Sequence, residues 1–166
     1  MLACETARLE ALDALSVLNT PAEKQFDDIA EVARLALGTK IALVSLLDAD
    51  RQWFKAKCGL DVSETSRDIA FCDHAIRQQD VFVVPNAAID ERFNQNPLVT
   101  GSPYIRFYAG APLITPCGAA IGTLCAIDDE PRYAVTGQET CALATLAGVV
   151  MERLVARAHA ARAEAA

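Results

Sequence analysis

The chain has 166 residues, 52% of them hydrophobic and 22% charged, which fits one ordinary domain with a continuous core and excludes intrinsic disorder. The net charge of −7, with no lysine or arginine run, excludes broad phosphate-backbone binding, so no nucleic-acid partner is expected. No apolar run reaches the roughly 18 residues that a membrane span needs. Met1-Leu-Ala-Cys-Glu5 reads as the start of an amphipathic helix and not as a signal peptide, so no membrane partner and a cytoplasmic location are expected.

Residues 5–18 place Leu9, Leu12, Leu15 and Leu18 at helical spacing, and Asn19 ends the stripe. Thr20-Pro-Ala-Glu23 has the form of a capping box with proline at the first helical position. It opens a second helix to Leu37, with Phe26, Ile29, Val32 or Ala33, and Leu37 facing inward and Gly38 as its stop. Ile41–Leu47 is a nearly continuous apolar run, which predicts a central strand covered on both faces. After a turn at Asp48–Asp50, Arg51–Cys58 reads as its hairpin partner, with Trp53, Lys55 and Lys57 opposite Phe54, Ala56 and Cys58. Gly59 closes that strand, and 60–70 reads as a polar loop.

Phe71–Gln79 predicts a short helix and Asp80–Val84 a short strand, stopped by Pro85-Asn86. Residues 87–104 read as an ordered loop with a helical turn. Ile105–Ile114 and Ala119–Ile127 are two strands joined through Thr115–Gly118, with Pro112 marking a bulge or a frayed end. Thr136-Gly-Gln-Glu139 is a second capping box, opening a helix with Leu143, Leu146 or Ala147, Val150 and Leu154 inward, a stripe that fades after Arg157. The order predicts an α+β domain with a largely antiparallel sheet and helices on its faces.

Cysteine, histidine, arginine and tyrosine are dense between Arg67 and Arg132, and each invites two readings. The six cysteines include no Cys-x-x-Cys pair and are expected as free thiols, with Cys58, Cys125 and Cys141 as small core residues. Cys72 and His74 are two soft ligands, but a metal needs more, and the other histidine is His159 near the C-terminus. No metal site is therefore expected; the plainer reading packs Cys72 inward and lets His74 bond neighbouring backbone. As a catalytic pair on a helix they would point in different directions, so no catalytic residues are assigned.

Arg106 and Tyr108 alternate with Ile105, Phe107 and Ala109 and are read as sharing one strand face. There the guanidinium would clamp an anion that the phenol orients. In the structural alternative, Arg106 or Arg92 is held by Asp90 or Asp128 and pins a loop over the sheet. Asp90 and Asp128 lie beside turns, where aspartate satisfies backbone N–H groups more often than it works as an acid or base.

With these elements in place the chain resembles the GAF domain family, in the branch found in bacterial sensory and signalling proteins. The resemblance is carried by Thr20-Pro-Ala-Glu23 with Phe26-Asp27, Ile41-Ala-Leu-Val-Ser45, Asp50-Arg-Gln-Trp-Phe-Lys55, Gly59-Leu60, Phe71-Cys-Asp-His-Ala-Ile76 and Asp90-Glu-Arg-Phe93. It continues through Asn96-Pro-Leu-Val99, Ile105–Leu113 and Gly122-Thr-Leu-Cys-Ala-Ile-Asp128. It covers a core of about 8–155 in a single domain over 1–166, with 156–166 as a helical tail.

The resemblance implies a central antiparallel sheet of five or six strands with the N- and C-terminal helices on one face. A short helix and loops cover a pocket on the other. It implies a small-molecule sensor that is not an enzyme and signals through its terminal helices. Candidate ligand-binding residues are Cys72, His74, Phe93, Arg106, Tyr108 and Cys125. No cofactor is required; a tetrapyrrole or a cyclic nucleotide is the kind of group the family admits. A homodimer through the terminal helices is expected, with signalling output in a separate protein or in the rest of a longer chain. The alternatives are a thiol enzyme resembling the free methionine-R-sulfoxide reductases, through Cys72, Cys117 and Cys125, or a structural dimerisation module without ligand.

Overall fold

In the computed structural model, which describes residues 4–166, the strands are β1 (Ile41–Leu47), β2 (Arg51–Cys58), β3 (Glu64–Ser66), β4 (Phe82–Val84), β5 (Phe107–Ile114) and β6 (Ala120–Asp128). They form one antiparallel sheet in the order β3-β2-β1-β6-β5-β4. The helices are α1 (Glu5–Ala14), α2 (Lys24–Leu37), α3 (Cys72–Ala75), α4 (Pro97–Thr100) and α5 (Gly137–Ala165). The helical reading of Met1–Ala3 lies outside the described residues. Among the described residues no helix is long and apolar enough to cross a membrane.

The sheet is buried on both faces because its central strands alternate between two apolar sets. Ala42, Val44, Leu46, Phe107, Ala109, Leu124 and Ala126 pack with the buried sides of α1, α2 and α5. Leu43, Leu47, Tyr108, Cys125 and Ile127 face the other way, under α3, α4 and the connecting loops. Every residue of β1 is buried, Ser45 included, as a nearly continuous apolar run requires.

Several local expectations are corrected. The first helix stops at Ala14, since Ser16 takes a left-handed φ of +50°; Leu15 and Val17 then enter the core from the turn that follows. Thr20 caps nothing: its hydroxyl donates to the Val17 carbonyl, and the N-cap position of α2 falls to Glu23, whose side chain caps nothing either. Ala33 and not Val32 is buried on α2, and Gly38 ends that helix at φ +64°. The alternation in β2 fails at Lys55, the one extra residue that a bulge leaves between Ala56 and Phe54, the partners of Val44 and Ser45. Lys55 and Ala56 consequently both lie on the helix side.

The supposed loop at 60–70 contains edge strand β3, paired with Arg51–Trp53, and a 3-10 turn at Arg67–Ile69. Both α3 and β4 are shorter than read, and β5 begins at Phe107. The irregularity near Pro112 falls one residue later, at Leu113/Ile114. The Thr136–Glu139 capping box is present, and α5 buries Ala147 in preference to Leu146 and Ala158 beyond Arg157. All six cysteines are free; Cys125 is a core residue, but Cys141 is exposed on α5 and Cys58 is half-buried.

Candidate functional site

Between the second face of the sheet and the α3/α4 side lies a cavity of about 160 Å³. Its floor comes from Leu43 of β1, Tyr108 of β5, and Cys125 and Ile127 of β6. Phe71 and Cys72 enter from the start of α3, and Leu98, Pro103 and Ile105 from the segment around α4. Gln52 and Phe54 close the β2 side, with Leu60, Val62 and Thr65 beside them. The wall is mostly apolar and has no lysine, arginine, histidine, aspartate or glutamate.

Besides the exposed Ser102, two buried polar features interrupt it. The first gathers around Cys72, whose Sγ lies 3.2 Å from the Tyr108 hydroxyl and 3.0 Å from Thr123 Oγ1. Thr123 and Cys125 alternate along β6, which brings both to one face. Gly110 lets the Tyr108 ring fold back along its own strand: a Cβ there would stand 2.3 Å from the phenol oxygen. Burial opposes ionisation of Cys72, but hydrogen bonds from the Cys125 thiol and from the Thr123 and Tyr108 hydroxyls outweigh it and hold its pKa below the usual thiol value. Cys125 is pushed up by its hydrogen bond to Cys72 and by burial, and Tyr108 by burial and the neighbouring Cys72 charge.

The second is Gln52. Its side chain is buried at 5% exposure, and its amide nitrogen donates to Thr65 Oγ1 at 3.0 Å. Its Oε1 is buried with no hydrogen-bond partner. The Gln52–Thr65 pairing follows from the β2–β3 register, which sets the two residues opposite one another.

Fixed contacts surround the cavity. The Arg106 guanidinium donates to the carbonyls of Val99 (2.9 Å) and Ile105 (3.0 Å), tying α4 to the approach to β5. Asn96 Nδ2 reaches the Ile69 carbonyl at 3.0 Å. Asp90 grips Arg92 through both oxygens, and the guanidinium covers the rings of Phe82 and Phe93. Arg67 bridges Asp73 of α3 and Glu5 of α1, and also donates to the Asp48 carbonyl.

Of the six candidates, Cys72, Tyr108 and Cys125 are brought together in the wall. Phe93 stacks behind it on Phe71, with ring centroids 4.1 Å apart. His74 packs edge-on against Phe93 at 4.8 Å, and burial together with Arg77 lowers its pKa. Cys72 and His74 thus face different surroundings. Arg106, read as an anion clamp, precedes β5 and does not line the cavity, and its Nη1 donates to both backbone carbonyls. The loop-pinning ion pair that forms is Arg92–Asp90, while Asp128 faces Arg132 at 3.5 Å. Among the described residues no three His, Cys, Asp or Glu side chains converge as metal ligands.

Gln52 and Thr123 went unread. Both carried a signal: Gln52 lies two residues from Phe54 and Thr123 two from Cys125, so strand periodicity sets a polar group among apolar neighbours on the buried face.

The GAF domain family model matches residues 21–154. A cyclic di-GMP phosphodiesterase of Pseudomonas aeruginosa is 44% identical over 150 residues, which make up 90% of this chain; the chain spans 26% of that protein's length. The GAF domain of an Acinetobacter phosphoenolpyruvate-protein phosphotransferase superposes with a TM-score of 0.68 at 18% identity, covering 96% of this chain and 97% of that one. A free methionine-R-sulfoxide reductase from Neisseria meningitidis, solved with its substrate, gives 0.67 at 20% identity and 95% coverage of both chains. At such identities the structural likeness is one of fold alone. The six-stranded sheet, its paired layers and the family match agree, and the chain belongs to the GAF domain family.

Proposed function

We propose that the chain is the sensory part of a signalling system, a module without catalysis of its own that binds a small molecule between sheet and lid and passes the change to its terminal helices. The output it controls lies in another domain or protein, and cyclic di-GMP turnover is the kind of output the Pseudomonas relative suggests. The observation that carries this reading is the cavity, with Gln52, whose buried Oε1 has no partner, among its lining residues. A route outward supports it. Asp73 adjoins Cys72 on α3 and is held by Arg67, which also holds Glu5 on α1 at 2.5 Å. The C-terminal end of α1 is in turn held by α5, through Arg162 to the Ala14 carbonyl. A ligand that displaces α3 pulls on both terminal helices through these bonds. We further propose that α1 and α5 form the contact between two copies in a homodimer.

A thermal-shift screen with neutral aromatics, amino acids, organic acids, cyclic nucleotides and tetrapyrroles tests the sensor reading, with sedimentation velocity reporting the oligomer. Silence across the whole screen defeats it and leaves a structural dimerisation role.

The Cys72–Cys125 contact favours a second reading, a thiol reductase. There the two thiols would become one disulfide while a sulfoxide oxygen leaves as water. A wall with no basic side chain to meet a carboxylate argues against a zwitterionic amino-acid substrate. Loss of two free thiols per methionine sulfoxide reduced is its test; no turnover sinks it.

A further inference from the structure

We infer that the cavity takes a compact, uncharged organic molecule about the size of a single aromatic ring, carrying one hydrogen-bond donor for the lining Gln52 amide, whose buried Oε1 turns to meet it. The inference rests on the sensor reading above and narrows it.

Size comes first. The cavity measures about 160 Å³, and an apolar engineered cavity of roughly 150 Å³ admits benzene. A cyclic nucleotide or a tetrapyrrole is larger than this space. Charge points the same way. The wall holds no lysine, arginine, histidine, aspartate or glutamate. A phosphate or carboxylate entering it would lose its water with no cation to replace it.

Polarity then selects among neutral molecules. Around Cys72 the hydroxyls of Tyr108 and Thr123 already have a partner in the sulfur. Gln52 differs: its nitrogen is engaged by Thr65, while its oxygen is buried and unmatched. A buried acceptor left unmet weakens the fold, so a ligand that brings a donor gains more here than an apolar one of equal size. Access is by the apolar rim formed by Leu60, Val62, Leu98 and Pro103, where Val62 is half exposed.

Phenol, toluene and benzoate form a matched series for the test, titrated into the protein and followed by amide NMR, including the Gln52 side-chain NH₂ pair. Phenol should bind about tenfold more tightly than toluene, with shifts at Gln52 and Cys72, and benzoate should not bind there. Gln52→Leu should abolish the preference for phenol while leaving toluene binding in place. Leu60→Trp, which plugs the rim without touching Gln52, should abolish phenol binding in a folded protein. Equal binding of phenol and toluene, binding of benzoate at this site, or phenol binding that survives Leu60→Trp overturns the inference. Cyclic di-GMP, cyclic AMP and biliverdin are titrated in parallel. If one of them moves the Gln52 and Cys72 signals and phenol does not, the ligand class is wrong and the sensor reading stands. If none of the probes moves them, the sensor reading falls as well.

Discussion

Gly110 has no Cβ because the Tyr108 ring occupies the place where one would stand, with ring carbons 2.8 Å and the hydroxyl 2.3 Å from that point. Gly110→Ala should therefore destabilise the fold by about 2 kcal/mol, measured by urea unfolding, and shift the Tyr108 hydroxyl away from Cys72. Tyr108→Phe in that background removes the nearest atom and should recover part of the loss; no recovery would show that the strain lies elsewhere. Gly122 differs, since its missing Cβ would lie 1.9 Å from the Ser45 carbonyl oxygen, backbone that no side-chain change can relieve. At Cys72 the lowered pKa predicts labelling by methyl methanethiosulfonate at a lower pH than at Cys125, whose pKa is pushed up. Mass spectrometry of the labelled peptides decides it, and preferential labelling of Cys125 would reverse the assignment. The polar character of Cys72, Tyr108 and Cys125 was legible in the sequence. That Gln52 and Thr123 join them was not, because it depends on which strands become neighbours.

The β2 bulge shows how one element changes its chemistry. It turns the Lys55 side chain to the helix layer, where the fully buried ammonium meets Thr20 Oγ1 (2.8 Å), the Pro21 carbonyl (2.6 Å) and Glu23 (2.6 Å). Burial raises the Glu23 carboxyl, yet hydrogen bonds from Lys55, Arg157 and Gln25 outweigh it and hold it at about 2, against 4.5 when unfolded. A carboxyl depressed in this way contributes stability fully above pH 4.5 and loses it as pH falls toward 2. The urea midpoint should drop across that window, and Glu23→Gln should flatten the drop; an unchanged slope would remove Glu23 from the account. At pH 7 Glu23→Ala should cost about 2 kcal/mol, more than Lys55→Met, because only the former leaves a buried charge without its counter-ion. The Thr20–Glu23 pattern promised a capping box because those residue types form one locally. Long-range demand from Lys55 and Arg157 claimed both side chains.

For the whole molecule, the consequence lies in how the lid is tied to the ends of the chain. Arg67→Ala cuts the link between α3 and α1 without touching the cavity wall. It should leave phenol affinity within about twofold of wild type but abolish the ligand-dependent change in hydrogen exchange of α1. Retained coupling would mean the signal travels by another route.

By itself the sequence determined the elements whose evidence is local. The nearly continuous apolar run of β1, the Gly38 stop, the Thr136–Glu139 cap and the amphipathic stripes of α2 and α5 are all written within one or two turns of chain. The α+β order followed from those, and the family resemblance from the motif residues between Thr20 and Asp128. Tertiary structure alone decided what depended on partners far along the chain. It exposed Cys141, bulged β2 at Lys55, paired the 64–66 segment as an edge strand and turned Arg106 to carbonyls. It also left the oxygen of Gln52 unmatched beside a cavity. Burial and hydrogen-bond satisfaction are properties of neighbours, and residues 52, 65, 72, 108 and 123 become neighbours only when the sheet has formed.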